Sequence, residues 1–123
     1  MAASPSAVEL ARAVAHLADE KKAHDLVILD VSRGGTIDCF VIATATSSKH
    51  ALVVAEEALR LVKLRGEQPW HLETASDWVC ADFGDVVLHV FTREARDYYD
   101  LEHLWADAAR IARTTAAPSE VSA

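Results

Sequence analysis

The stretch that decides the fold is residues 37–65, IDCFVIATATSSKHALVVAEEALRLVKLR. Its first part, residues 37–44, is rich in apolar and β-branched residues and predicts a strand. The nearly continuous apolar run over residues 39–43 is typical of a strand that is buried on both faces. We therefore expect this strand to lie in the middle of a sheet.

A helix is predicted directly after this strand. The TATSSKH segment contains Thr46, Ser47 and Ser48, any of which can accept hydrogen bonds from the first free amide groups of a helix. Apolar residues recur at helical spacing up to about Arg65, and Gly66 suits the C-terminal end. A helix of this length can serve as a crossover connection between strands.

The flanking segments predict the rest of one α/β domain with α+β character. Helical periodicity covers residues 7–22, Arg33-Gly34-Gly35 is a turn signal, and Trp78 begins an antiparallel hairpin that turns at Phe83-Gly84-Asp85. Further strands are expected over residues 26–31, 69–73, 78–81 and 86–91, and terminal helices over 94–99 and 101–111. We expect a five-stranded mixed sheet flanked by helices over residues 1–113, and a disordered tail over 114–123.

Composition limits the classes of partner. The net charge of −7 argues against nucleic acid as the main ligand, because phosphate contacts need clustered Lys and Arg. It is compatible with a basic protein partner, and equally with a charge that serves only solubility. The apolar runs are too short for a membrane helix and the first residues lack a signal-peptide pattern, so a cytoplasmic location is expected. Cys39 and Cys80 are expected to be reduced, buried thiols.

Sequence motifs for catalysis and metal binding are weak. Asp82-Phe83-Gly84 matches the metal-binding triplet of protein kinases, but the other kinase motifs are missing, so a hairpin turn is favoured. The six histidines show no metal-ligand spacing, and the aspartates form no Asp-x-Asp pair. Ser47 or Ser48 with His50 could form a nucleophile and base, although helix capping explains these serines with fewer assumptions. We predict no cofactor, no metal and no catalysis.

The aromatic residues Trp78, Tyr98 and Tyr99 allow two interpretations. Large aromatics near strands and helices are usually part of a core, and periodicity alone favours that interpretation. The alternative is an anchor in a protein interface, where Trp and Tyr are enriched. The hairpin is expected to bring the indole of Trp78 close to the carboxylates of Asp82 and Asp85.

Four blocks in order resemble the Iojap family, the ribosome silencing factors. They are EKKAHDLVILDVS (20–32), DCFVIATATSSKH (38–50), DWVCADFGDVVLHVF (77–91) and EARDYYDLEHLW (94–105). The resemblance implies a fold similar to nucleotidyltransferases but without their catalytic residues. It also implies binding to ribosomal protein L-fourteen on the large subunit, which prevents the small subunit from docking and lowers translation in starvation or stationary phase.

The resemblance also implies a partner-binding surface. By position it comprises Thr46, Ser47, Ser48, His50, Trp78, Asp82, Phe83, Asp85, Asp97 and Tyr99. Ala45 departs from the family, which usually has Gly there, and would be strained if that backbone needs a positive φ. An aromatic surface on an acidic domain could also form a homodimer in the free state. The alternative functions are a small nucleotide-dependent transferase and a large-subunit assembly factor.

Overall fold

The computed structural model describes residues 2–68 and 71–113, which form an open six-stranded sheet with helices on both faces. The first two helices are long, and the last two helices and the last strand are short. The helices are α1 (Pro5–Glu20), α2 (Ser48–Leu64), α3 (Arg93–Tyr99) and α4 (Leu101–Leu104). The strands are β1 (His24–Asp30), β2 (Cys39–Ala45), β3 (His71–Thr74), β4 (Trp78–Asp82), β5 (Val86–Thr92) and β6 (Ala109–Arg110).

The sheet is mixed, with strand order β3-β4-β5-β2-β1-β6. β2 and β5 are parallel and lie at the centre, and every other neighbouring pair is antiparallel. The predicted hairpin is confirmed, since Trp78 pairs with Phe91 and Asp82 with Val87. The predicted crossover is also present, because α2 carries the chain from β2 to the edge strand β3.

The prediction of five strands and of a helix over residues 101–111 was wrong. Only α4 is helical there, and the chain then forms β6, where Ala109 pairs with Asp30 and Arg110 with Leu29. The backbone N–H of Ile111 donates to the carbonyl of Ile28, which continues this pairing. Leu101, Trp105 and Ala108 pack against the sheet at helical spacing, whereas Leu104 is 75% exposed. Residues 69 and 70 of the third predicted strand, and the predicted disordered tail, lie outside the described residues.

The two faces of the sheet are covered differently. The larger core packs α1 and α2 against one face, with Val41, Val79 and Leu88 fully buried. On the opposite face a smaller cluster surrounds Ile42 and Phe91, covered by α3, Leu101 and Trp105. Because side chains alternate along a strand, Cys80 lies on this second face and Cys39 on the first. The two thiols are not bonded to each other, and Cys80 is only half-buried.

Candidate functional site

An aromatic cluster lies on the second face of the sheet, where β4 and β5 meet α3. Trp78 is half-buried, and its ring centroid lies 4.8 Å from that of Phe91 and 4.7 Å from that of Tyr99. Tyr99 is 45% exposed, and the adjacent Tyr98 is 82% exposed. Trp78 therefore packs in the core on one side and reaches the surface on the other, and its role as an interface anchor stays a prediction.

His89, on β5, is hydrogen-bonded to Trp78. Its Nδ1 accepts a hydrogen bond from the indole Nε1–H of Trp78 at 3.2 Å, and its ring meets Phe40 edge-on at 4.6 Å. Burial lowers the pKa of His89 to about 4, because the charged imidazolium would lose its hydration. The residue is therefore neutral near pH 7 and acts as a hydrogen-bonded sheet residue.

The N-terminus of α2 lies beside the same aromatic cluster. Ser47, one of the three predicted cap candidates, is the N-cap, and its Oγ accepts from the backbone N–H of His50 at 3.0 Å. The Oγ of Ser48 donates to the carbonyl of Ser76 in the turn between β3 and β4. This contact joins the start of α2 to the turn that precedes Trp78.

His50 joins the two long helices. Its Nδ1 accepts from the backbone N–H of Thr46 at 3.0 Å, and its Nε2 lies 2.7 Å from the carbonyl of Lys21 at the end of α1. Both ring nitrogens are thus engaged. Among the described residues no hydrogen bond links this ring to Ser47 or Ser48, so the geometry does not form a nucleophile and base pair.

α3 is fixed by a buried guanidinium. Arg96, 6% exposed, donates through Nε and Nη2 to both carboxylate oxygens of Glu102 at 3.0 and 3.1 Å. Its Nη1 donates to Thr44 Oγ1 at 2.8 Å and to the carbonyl of Asp25. These bonds hold α3 against the ends of β1 and β2, and so position Asp97 and Tyr99.

The other predicted site residues lie elsewhere. The carboxylate of Asp82 accepts from the backbone N–H of Gly84 at 2.8 Å and so shapes the hairpin turn. Trp78 is at the opposite end of β4, four residues or about 13 Å away. The expectation that the indole lies close to Asp82 and Asp85 was therefore wrong. Phe83 is 5% exposed and packs in the larger core, so its side chain is not available to a partner.

The structure thus divides the predicted surface in two. Six of its members gather at one margin of the sheet, where the carboxyl ends of β2 and β5 meet the start of β4; we call this group the aromatic edge. It comprises Thr46, Ser47, Ser48, Trp78, Asp97 and Tyr99. His50 is not part of this group, because its ring bonds the start of α2 to the end of α1. The remaining three residues, Asp82, Phe83 and Asp85, lie at the other end of the hairpin.

Backbone strain does not mark this site. The condition for strain at Ala45, a positive φ, is not met, because the non-glycine residues with positive φ in the described ranges are Lys22, Asp25 and Asp100. Ala45 is a regular β2 residue paired with Thr92. Within residues 2–68 and 71–113 no group of three or more His, Cys, Asp or Glu side chains is arranged to hold a metal ion.

Sequence reasoning missed three side chains near this margin. Asp77 and Glu73 flank the turn between β3 and β4, and together with Trp78 and Tyr99 they line a half-open pocket of about 260 Å³. Their position on one pocket follows from strand pairing across a turn, which local spacing does not reveal. The burial of Arg96 was not predicted, because an Arg on a short helix is ordinarily solvated.

Comparison with known proteins identifies the family. The model of the family "Ribosomal silencing factor during starvation" matches residues 4–123. The chain belongs to the ribosomal silencing factor family. A ribosomal silencing factor from Halalkalibacterium halodurans is 36% identical, over 84% of this chain and 91% of that protein.

Two further relatives frame this assignment. The crystal structure of a protein from Chromobacterium violaceum is 30% identical, superposes with a TM-score of 0.76, and covers 80% of this chain and 84% of that one. A mouse protein named for mitochondrial assembly of the ribosomal large subunit is 32% identical over 70% of this chain and 40% of that protein. The chain is therefore similar to proteins named for silencing and to one named for large-subunit assembly. No helix within the described ranges is long and apolar enough to cross a membrane.

Proposed function

We propose that this protein represses translation by binding ribosomal protein L-fourteen on the large subunit through its aromatic edge. The observation that carries the proposal is the exposed aromatic surface of an otherwise acidic domain. Tyr99 is 45% exposed beside the half-buried Trp78, and the neighbouring Tyr98 is 82% exposed. Clustered exposed aromatics on a polar surface are typical of protein interfaces.

The charge of the domain supports a basic partner. The net charge is −7, and the aromatic edge carries Asp97 with Asp77 nearby. Ribosomal proteins are generally basic, and an acidic surface accelerates association with them. The aromatic contacts would then supply most of the affinity, since a few buried aromatic anchors dominate typical interfaces.

The repression itself is steric. A domain bound at the intersubunit face occupies space that the small subunit needs, so subunit joining fails without any chemical step. The protein would act in the cytoplasm and would need neither cofactor nor turnover. The resemblance to silencing factors and the lack of a nucleophile and base pair at Ser47, Ser48 and His50 support this mechanism.

Sucrose-gradient sedimentation with separated subunits tests the proposal. The protein should migrate with the large subunit and reduce the amount of joined ribosomes when the small subunit is added. Purified L-fourteen should bind the protein directly. Comigration with fully joined ribosomes, or binding to large subunits from which L-fourteen has been omitted, would contradict the mechanism.

A role in large-subunit assembly is the second candidate, favoured by the name of the mouse relative. Both functions would involve the same partner, so binding cannot distinguish them. Their effects on cells can. Loss of the protein should leave large-subunit precursors in exponential growth if it assists assembly. It should leave their level unchanged, and raise translation in starvation, if silencing is its function.

The aromatic edge is also a candidate surface for self-association in the absence of ribosomes. A homodimer through this edge would cover Tyr99 and the neighbouring Tyr98. Light scattering at rising concentration should show a mass above the 13.4 kDa of one chain. Added L-fourteen should dissociate the dimer if both use the same surface.

A further inference from the structure

The pocket beside the aromatic edge has the size of a single side chain. It lies between the β3–β4 turn and α3, and its volume of about 260 Å³ is bounded by Trp78, Cys80 and Tyr99. Small-molecule sites usually have volumes of about 300 to 1,000 Å³ and bury most of their ligand. This smaller, half-open pocket is better suited to one protruding side chain of a protein partner.

The lining of the pocket favours a cation. Glu73 and Asp77 are the acidic residues of its lining, and Trp78 and Tyr99 are the aromatic ones. Aromatic faces attract cations, and carboxylates add charge-assisted hydrogen bonds. One occupant that satisfies both features is a side chain with an apolar stem and a positively charged head.

In the part of the chain that the structure describes, no Lys or Arg side chain pairs with the carboxylates of Glu73 and Asp77. Asp77 is half-buried, and the described residues provide its carboxylate with no hydrogen bond and no ion pair. Arg93, on α3, is engaged by Asp25 and lies 4.0 Å from Asp97. Among the described residues, the one hydrogen-bond partner of the Glu73 carboxylate is the imidazole of His71, at 2.5 Å, on the exposed edge strand.

We propose that this pocket receives an arginine side chain of the ribosomal partner. This inference rests on the proposed function, in that the arginine belongs to the protein bound at the aromatic edge. Arginine fits better than lysine, because its planar guanidinium stacks on aromatic rings and reaches a carboxylate with two parallel N–H groups. Lysine presents a more strongly hydrated point charge, which loses more on leaving water.

Variants at the rim test the pocket in the full chain. Asp77→Asn keeps the shape of the side chain and removes its charge, and it should weaken binding to purified large subunits about tenfold. Glu73→Gln should weaken binding less, because Glu73 already faces His71. Glu56→Gln, on the exposed surface of α2, is the matched control and should bind as the unaltered protein does.

A titration without ribosomes tests the chemistry of the occupant. The probes are N-acetyl-arginine amide, N-acetyl-lysine amide and the neutral isostere N-acetyl-citrulline amide. In ¹⁵N-resolved spectra the arginine probe should shift the indole N–H of Trp78 and the amides of residues 73–80 more than the lysine probe does. The citrulline probe should leave them unchanged, and Asp77→Asn should abolish the arginine response.

The results separate the two proposals. Unaltered subunit binding by Asp77→Asn, or equal shifts with arginine and citrulline, would overturn the arginine pocket while leaving ribosome binding intact. Absence of subunit binding by the unaltered protein would overturn the proposed function, and the probe titration would then decide the pocket alone.

Tyr99→Leu should lose the arginine response and Tyr99→Phe should retain it.

Discussion

The indole Nε1–H of Trp78 donates to His89 Nδ1 at 3.2 Å, and this bond fixes the tautomer of the histidine. Because Nδ1 accepts, a neutral His89 carries its hydrogen on Nε2. That nitrogen is buried and has no hydrogen-bond partner among the described residues. The pair thus joins the exposed aromatic edge to the interior of the sheet, so changes at either residue affect both binding and stability.

Trp78→Ala should lower both stability and affinity for L-fourteen. Truncating a half-buried indole removes its contacts with Phe91 and Tyr99 and leaves His89 Nδ1 without a donor. We expect the free energy of unfolding to fall by about 2 kcal/mol, less than for a fully buried Trp. Denaturant unfolding measures this loss, and affinity is measured at temperatures where the variant remains folded.

Two further variants help to separate the loss of stability from the loss of affinity. Trp78→Phe keeps an aromatic ring and should retain most of the stability. Asp85 lies at the far end of the hairpin, so the Asp85→Asn protein should bind L-fourteen more strongly than the Trp78→Ala protein does. If folded Trp78→Ala binds normally, the indole belongs to the core alone and the aromatic edge loses its central anchor.

Stability should depend on the protonation of His89 in a defined pH window. Burial lowers its pKa in the folded protein to about 4 from the ordinary value of 6.5. Between these values the unfolded chain binds a proton that the folded protein does not, so acidification favours unfolding. Stability should fall as the pH decreases from about 6.5 to about 4, by at most about 1.4 kcal/mol per pH unit.

The comparison with His89→Gln isolates this contribution. Gln does not titrate, so the variant should show a shallower decrease of unfolding free energy over the same window. The pKa values of Asp25, Asp30 and Asp107 are lowered from 3.8, so their contributions are lost only at lower pH. Equal slopes for the two proteins between pH 6.5 and 4 would show that His89 is not buried as described.

Ala45→Gly should destabilise the protein. Ala45 is 2% exposed and continues β2 with regular strand geometry beside Thr92. Glycine would increase the conformational freedom of the unfolded chain and remove a buried methyl group. We expect a loss of about 1 kcal/mol, measured by the denaturant midpoint. A more stable glycine variant would reveal backbone strain at this position.

The central elements of this fold could be predicted from local patterns. The apolar run over residues 39–43 and the hydroxyl residues after it were sufficient to predict β2 and a capped start of α2, but not which of the three hydroxyl residues is the cap. The segment after Leu101 was not predictable in the same way, because β6 forms only by pairing with β1, about 80 residues earlier in the sequence. Its two exposed residues, Ala109 and Arg110, carry no strand periodicity of their own.

The site was predictable in part for a similar reason. Trp78 and Tyr99 stand out as large aromatics, but their meeting depends on the position of α3 over β4 and β5. The placement of Asp82 beside Trp78 failed because four residues along an extended strand separate side chains by about 13 Å. Local proximity in sequence therefore misled where the chain is extended, whereas it succeeded at the helix cap.

Arg96 should be the most sensitive position for the placement of α3. Its guanidinium is buried and binds Glu102 in a bidentate pair, with Thr44 and the Asp25 carbonyl as further acceptors. Arg96→Met removes these donors and leaves Glu102, 25% exposed, with Arg110 at 3.8 Å as its remaining cation. We expect a loss of about 3 kcal/mol in unfolding free energy.

Arg96→Lys should restore little of this stability, because an ammonium group cannot form the fork-shaped pair or reach several acceptors at once. Arg93→Gln is the matched control on the same helix. It removes an exposed ion pair with Asp25 and should change the denaturant midpoint little. Because Tyr99 follows Arg96 on α3, hydrogen exchange of residues 93–99 should rise in Arg96→Met and remain unchanged in Arg93→Gln. Equal effects of the two variants would mean that α3 is held by its apolar contacts with β5 and not by the buried guanidinium.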